Sequence, residues 1–129
     1  MFVGNLDARQ QGALLALAHE VASADDTLSK KEEEFLATLR TQMEPNVEPA
    51  SIDRNDLSTA FESKRVRASL LLELLGIAHA DDDYHESEKK LIAEIAAALD
   101  ISEFELADME GWVERQLLLV REAAQFMEA

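Results

Sequence analysis

Two stretches of this chain carry the same pattern of acidic residues, and this pattern decides the fold. Residues 22–32 read ASADDTLSKKE and residues 78–88 read AHADDDYHESE. Aligned from their first residues, the two stretches share two alanines, two adjacent aspartates and one glutamate. Such a duplication predicts two copies of one structural unit. The shared positions are Ala22/Ala78, Ala24/Ala80, Asp25/Asp81, Asp26/Asp82 and Glu32/Glu88.

The residues on either side of each acidic stretch have helical periodicity. Apolar residues recur every three or four positions from Asp7 to about Ala24, from Ser29 to Leu39, from Lys64 to Ala80 and from Glu86 to Leu99. One helix–loop–helix unit cannot bury its own apolar face, so the two units are expected to pack together. In the same alignment, the apolar pairs are Leu14/Leu70, Leu15/Leu71, Val21/Ile77, Phe35/Leu91, Leu36/Ile92 and Leu39/Ile95.

The remaining segments complete an all-α fold. Residues 43–53 hold both prolines and predict a connector, because each proline disfavours helix in the residue before it. A short helix is expected over residues 55–61. A capping box at Ser102 opens a final helix to about Met127, with a break near Gly111. We predict one domain over residues 1–129, a compact bundle of six or seven helices built from two pseudo-symmetric helix–loop–helix units.

Composition excludes several classes of function. A formal charge of −15 in 129 residues disfavours binding to nucleic acid or to anionic membranes, since both require a basic surface. The absence of cysteine excludes disulfides and thiolate metal sites. The longest apolar run, residues 70–80, is too short to span a bilayer. These features predict a cytoplasmic protein that binds a protein partner, and they leave its oligomeric state undetermined.

The duplicated motif resembles one known family. A helix ending in Ala-x-Ala-Asp, a tight loop, and a Glu seven residues after the Asp, present twice in a small acidic helical chain, are similar to the TerB-like family. The resemblance covers the chain from about Leu14 to the final helix. It implies a compact domain of about seven helices, an association with bacterial stress responses such as tellurite resistance, and acidic residues associated with divalent metal. The matching positions are Asp25, Glu32, Asp81 and Glu88.

Each acidic loop is a candidate cation site. The family usually has Gly after the motif Asp, whereas this chain has Asp26 and Asp82, which add a carboxylate to each loop. Oxygen ligands suit Ca²⁺ or Mg²⁺, although the spacing is not that of an EF-hand. The second loop is the better candidate because its carboxylates are denser. The predicted ligands are Asp25, Asp26, Glu32, Asp81, Asp82, Asp83 and Glu88.

A structural explanation of the repeated residues stays open beside the metal hypothesis. An Asp that follows a helix accepts hydrogen bonds from amides at the start of the next helix. A Glu at the third position of that helix can reach back to an amide of the loop. Stapling of this kind would also explain why Glu32 and Glu88 are repeated.

The motifs favour a binding module over an enzyme. The sequence contains no phosphate loop, nucleophile elbow or dinucleotide-binding motif. The leading hypothesis is a non-catalytic, TerB-like accessory domain whose only cofactor is a divalent cation. The alternatives are a protein-binding scaffold with purely structural loops and a metal-dependent hydrolase. The basic segment 64–67 is expected to pair with surrounding acids, and Phe104 and Trp112 are expected to be core residues.

Overall fold

A computed structural model describes residues 1–24, 28–80 and 84–128. Within these ranges the chain forms α-helices and two 3-10 helices, Val3–Asn5 and Arg54–Asp56, and no strand. The predicted all-α bundle is therefore confirmed. No helix in these ranges combines the length and hydropathy needed to cross a lipid bilayer. The α-helices are α1 (Ala8–Ala22), α2 (Lys30–Thr41), α3 (Leu57–Ala60), α4 (Lys64–Ala78), α5 (Glu86–Ala98) and α6 (Glu103–Met127).

The two helical hairpins have matching local features when the acidic stretches are aligned. In this alignment the two ends of α1 correspond to the two ends of α4, and the first residue of α2 corresponds to the first residue of α5. The backbone N–H of Ser23 donates to the carbonyl of His19 at 3.0 Å, and His79 donates to Leu75 at the same distance. The paired apolar residues of α1 and α4 are buried in both copies. Superposition of the two hairpins as equivalent units stays a prediction.

Helix α4 is the central element of the bundle, as its almost continuous apolar character predicts. It contacts α1, α2, α5, α6 and the 3-10 helix Val3–Asn5. The buried apolar residues form one cluster that extends from Val3 to Val113. The side chains of α4 that are fully buried in this cluster are Leu70, Leu71, Leu74, Leu75 and Ile77.

The predicted connector, residues 43–53, is irregular and is held against α1 by polar contacts. The backbone N–H of Glu44 donates to the side-chain oxygen of Gln11 at 2.9 Å, and Ala50 N–H donates to the carbonyl of Gly12 at 3.0 Å. Gly12 permits this close approach, because a Cβ there would lie 2.8 Å from the carbonyl oxygen of Glu48. The connector therefore packs along one side of α1.

Two expectations for α6 are wrong. The helix is continuous through Gly111, contrary to the predicted break. An interior glycine lowers helix stability by about 1 kcal/mol relative to alanine. The packing of α6 residues before and after Gly111 outweighs this cost. Phe104 is 86% exposed and Trp112 is at the surface with its ring 5.7 Å from that of Phe2. Both lie off the inward stripe of α6, which consists of Leu106, Met109, Val113 and Leu117.

The basic segment 64–67 makes mixed contacts. Lys64 lies 3.7 Å from Glu105, so the predicted pairing with an acid holds for this residue. Arg65 donates to the side chain of Asn5, and Arg67 donates to main-chain carbonyls. The expected acid pairing is therefore replaced by neutral acceptors at the two arginines.

Candidate functional site

The predicted cation ligands divide into two groups. Glu32 and Glu88 lie within the part of the chain that the structure describes. Both are the third residue of the helix that follows an acidic loop. The other five predicted ligands, Asp25, Asp26, Asp81, Asp82 and Asp83, lie outside the described residues.

Glu32 holds the start of α2 through a capping box. Its Oε1 accepts a hydrogen bond from the backbone N–H of Ser29 at 3.0 Å. Its own backbone N–H donates to Ser29 Oγ at 3.1 Å. Serine at the N-cap and glutamate at the third position satisfy two of the amides that a helix start leaves unpaired. The capping box predicted from the sequence is therefore confirmed.

Glu88 occupies the same place at the start of α5. Its Oε1 accepts from the backbone N–H of His85 at 3.2 Å. The N-cap backbone of His85 is extended, with φ −66° and ψ 153°, close to the −71° and 159° of Ser29. The backbone staple is thus common to the two helix starts, although serine and histidine differ at the N-cap.

Both glutamates are buried to an extent that capping does not require. Glu32 is 3% exposed and Glu88 is 1% exposed. Carboxylates are almost never buried this deeply unless they are paired. A carboxylate has two oxygens that can each accept more than one contact. Stapling through Oε1 and cation ligation by the same carboxylate are therefore chemically compatible.

Any cation site at these loops must draw on the predicted aspartates. Within residues 1–24, 28–80 and 84–128, no three His, Asp or Glu side chains come together in a way that could hold a metal ion. Ca²⁺ takes six to eight oxygens, so one glutamate alone is insufficient. Ligation by Glu32 or Glu88 thus requires further oxygens from the aspartates of the neighbouring loop.

A cluster that the sequence patterns did not predict borders the second loop. His79 is the C-cap of α4, and its ring lies 4.3 Å from the ring of Tyr84. The Tyr84 hydroxyl donates to Glu110 Oε1 of α6 at 2.9 Å. Lys89 Nζ lies 5.4 Å from the centre of the Tyr84 ring. These contacts tie both ends of the loop to α6.

This cluster favours an uncharged histidine. Burial lowers the pKa of His79, and it outweighs the opposing effect of the carboxylates of Glu114 and Glu110. Among the described residues, His79 Nε2 is buried without a hydrogen-bond partner. Burial and the hydrogen bond to Glu110 raise the pKa of Tyr84. His79 and Tyr84 therefore pack ring against ring, and burial favours the uncharged form of each.

A third buried carboxylate, that of Glu73, binds the N-terminal segment and not the start of an α-helix. Glu73 lies in the apolar run of α4 and is 5% exposed. Its Oε1 accepts from the backbone N–H of Phe2 at 2.7 Å. Because this contact joins residues 71 positions apart, no local pattern could have indicated it. Glu73 anchors the N-terminal segment to the central helix.

The described residues form an acidic, all-α structure in which each repeated glutamate lies in the first turn of a capped helix. The family model described as tellurite resistance protein TerB matches residues 50–110. This range covers α3, α4, the second acidic loop, α5 and the first part of α6. The predicted resemblance to the TerB-like family is therefore confirmed over residues 50–110. The comparisons with curated proteins and with solved structures each gave no match.

Proposed function

We propose that this chain is a non-catalytic, TerB-like binding module that takes a divalent cation at its acidic loops. The observation that supports this proposal best is the deep burial of Glu32 and Glu88 at equivalent positions beside those loops. Their backbone staples fix each carboxylate where an acidic loop joins a helix. A carboxylate held in place before binding loses little conformational freedom when it becomes a ligand.

The concentration of negative charge in the second acidic loop favours cation binding. Asp81, Asp82 and Asp83 are consecutive and precede Glu88 by only a few residues. The whole chain carries −15, so the repulsion within the loop adds to a general excess of negative charge. A bound divalent ion would reduce this repulsion, and carboxylate oxygens select Ca²⁺ or Mg²⁺.

The role follows from the family and from the motifs. TerB is not known as an enzyme family, and the sequence has no nucleophile elbow or phosphate loop. The domain would act by binding a protein partner in a cytoplasmic stress-response system of the tellurite-resistance type. The cation would set the conformation in which the loops and the helices beside them meet that partner.

A second candidate function is a protein-binding scaffold whose loops are only structural. The hydrogen bond from Ser29 N–H to Glu32 favours it, because stapling alone gives the glutamate a role. The two candidates differ in one measurable property. A scaffold of this kind has no specific response to divalent cations.

We expect Ca²⁺ or Mg²⁺ to raise the melting temperature of the wild-type protein. A ligand that binds only the native state stabilises it by RT ln(1 + [L]/Kd), about 1.4 kcal/mol at ten times Kd. The combined variant Asp81→Asn, Glu88→Gln should lose most of this shift. Thermal unfolding followed by circular dichroism, at increasing cation concentration, measures both effects.

Two controls separate a site from general screening of the acidic surface. Sodium chloride at matched ionic strength reports the screening contribution, which divalent ions must exceed. The variant Asp25→Asn, Glu32→Gln makes the same charge change at the first loop and should keep the response of the second. Equal stabilisation by sodium chloride and by the divalent salts would refute a specific site and leave the scaffold.

A further inference from the structure

Two aromatic rings that contact each other flank the second acidic loop in sequence. His79 is the C-cap of α4, and Tyr84 is the fifth residue after it. The stretch between them contains the three aspartates at positions 81–83. The centroids of the two rings are 4.3 Å apart, so the residues on either side of this acidic stretch are held close together. We call His79 and Tyr84 the loop-flanking pair.

The tyrosine of the loop-flanking pair is fixed by two further side chains. Its hydroxyl donates to Glu110 Oε1 of α6 at 2.9 Å. Lys89 Nζ of α5 lies 5.4 Å from the centre of the Tyr84 ring, within the range of a cation–π contact. Because α6 packs on both α4 and α5, Glu110 belongs to a helix that is fixed relative to the helices on either side of the loop. The position of Tyr84 therefore does not depend on a ligand.

The corresponding positions of the first acidic loop carry no rings. In the alignment of the two stretches, His79 corresponds to Ser23 and Tyr84 corresponds to Leu28. Ser23 is exposed, and Leu28 is 41% exposed. Leucine also has no hydroxyl that could donate a hydrogen bond to another helix. The two loops thus share their repeated acidic residues but differ in how the residues beside them are held.

Holding the ends of a loop favours the binding of a cation. A loop loses conformational entropy when its carboxylates converge on one ion, and this loss weakens binding. The contacts of the loop-flanking pair fix the ends before binding and so remove part of the loss. Side chains that orient the ligands of a metal typically contribute about 10- to 100-fold to the affinity of the site.

We propose that His79, Tyr84 and Glu110 are positioning residues for the second acidic loop, and that they give it a higher affinity for Ca²⁺ than the first loop has. This inference rests on the cation site proposed above, and it specifies which loop dominates the response. The backbone staples of Glu32 and Glu88 are common to both loops, so they do not produce the difference. The number of carboxylates is a separate cause, because the positioning residues can be changed while every proposed ligand stays in place.

Calorimetric titration of the full chain with calcium chloride compares the two loops. The variant Asp25→Asn, Glu32→Gln disables the first loop and reports the Kd of the second. The variant Asp81→Asn, Glu88→Gln reports the Kd of the first. The second loop should bind Ca²⁺ more tightly by about tenfold or more.

An exchange of the loop-flanking pair tests its role directly. His79→Ser, Tyr84→Leu gives the second loop the residues of the first and should weaken its Ca²⁺ binding by about tenfold or more. Tyr84→Phe keeps the ring but removes the hydroxyl, so it should weaken binding less, by about threefold. Leu39→Ala in α2 is the matched control, because Leu39 is 1% exposed and its truncation lowers stability without changing the loop. Circular dichroism shows that each variant is folded.

Three results would each overturn the proposal and leave the cation site itself in place. They are a second loop that binds Ca²⁺ no more tightly than the first, a Kd that the exchange does not change, and an equal weakening by Leu39→Ala. The last result would mean that the loop-flanking pair only stabilises the fold. If the wild type gives no more heat with calcium chloride than with sodium chloride at matched ionic strength, the proposed function fails and this inference fails with it.

Discussion

Replacing Leu70 by alanine is expected to lower the free energy of unfolding by about 2–5 kcal/mol. Leu70 is fully buried in α4, the helix on which the other long helices pack. Truncation removes apolar contacts and leaves a cavity that the surrounding helices can fill only in part. Leu14→Ala should have an effect of similar size, because Leu14 is fully buried at the equivalent place in α1. Urea denaturation measures both changes.

The matched control for these variants is Leu118→Ala in α6. Leu118 is 57% exposed, so its truncation should change stability by no more than about 0.5 kcal/mol. An effect of Leu70→Ala as small as that of the control would contradict the central position of α4. A large effect at Leu70 with none at Leu14 would contradict the equivalence of the two hairpins.

Gly12→Ala is expected to lower the free energy of unfolding by about 1–3 kcal/mol, although alanine is the better helix former. The added Cβ would lie 2.8 Å from the carbonyl oxygen of Glu48, so the main chain of the connector must move. That movement also strains the hydrogen bond from Ala50 N–H to the Gly12 carbonyl. Thermal and urea unfolding of the variant measure the loss.

Gly111→Ala provides the comparison for Gly12→Ala. A Cβ at Gly111 would meet only the end of the Arg115 side chain, 3.2 Å away, which can move. Alanine should therefore stabilise α6 by about 0.5–1 kcal/mol. If Gly12→Ala stabilised the protein as much as Gly111→Ala does, the connector would not pack against α1 as described.

Local hydrogen bonding explains why the helix starts could be predicted from the sequence. Ser29 with Glu32 and Ser102 with Glu105 form the capping boxes that their spacing indicates. The partners lie three residues apart, so the geometry depends little on the rest of the fold. The connector could also be predicted from local sequence, because each of its two prolines disfavours helix in the residue before it.

Interactions that depend on tertiary packing could not be predicted in this way. The sequence does not reveal that α6 turns Phe104 to solvent, because the position of the inward stripe depends on α4 and α5. The interior glycine of α6 gave a misleading signal of a break, since local propensity is weaker than packing. The contact of Glu73 with Phe2 N–H joins distant parts of the chain.

In the candidate site, too, the features set by local sequence could be predicted and those set by tertiary packing could not. The motif placed Glu32 and Glu88 at the third positions of their helices, which is where they lie. Their burial to 3% and 1% depends on how the helices pack and was not evident from the sequence. The hydrogen bond from Tyr84 to Glu110 links α6 to the second loop across 26 residues, so it too required the structure.

The unfolding free energy of Glu88→Gln, without and with divalent cation, tests the central claim most directly. Glutamine keeps an oxygen that can accept from His85 N–H, but it removes one negative charge from a stretch of sequence that also carries Asp81, Asp82 and Asp83. We therefore expect the variant to be at least as stable as the wild type without cation, and to lose the cation response.

Glu88→Ala, which removes the staple, should be less stable by about 1 kcal/mol or more. Glu32→Gln, with the same staple beside fewer aspartates, is the matched comparison and should show a smaller gain. If Glu88→Gln kept the full response to Ca²⁺ or Mg²⁺, or if neither Gln nor Ala at either position changed stability, the proposed role of the buried glutamates would be contradicted.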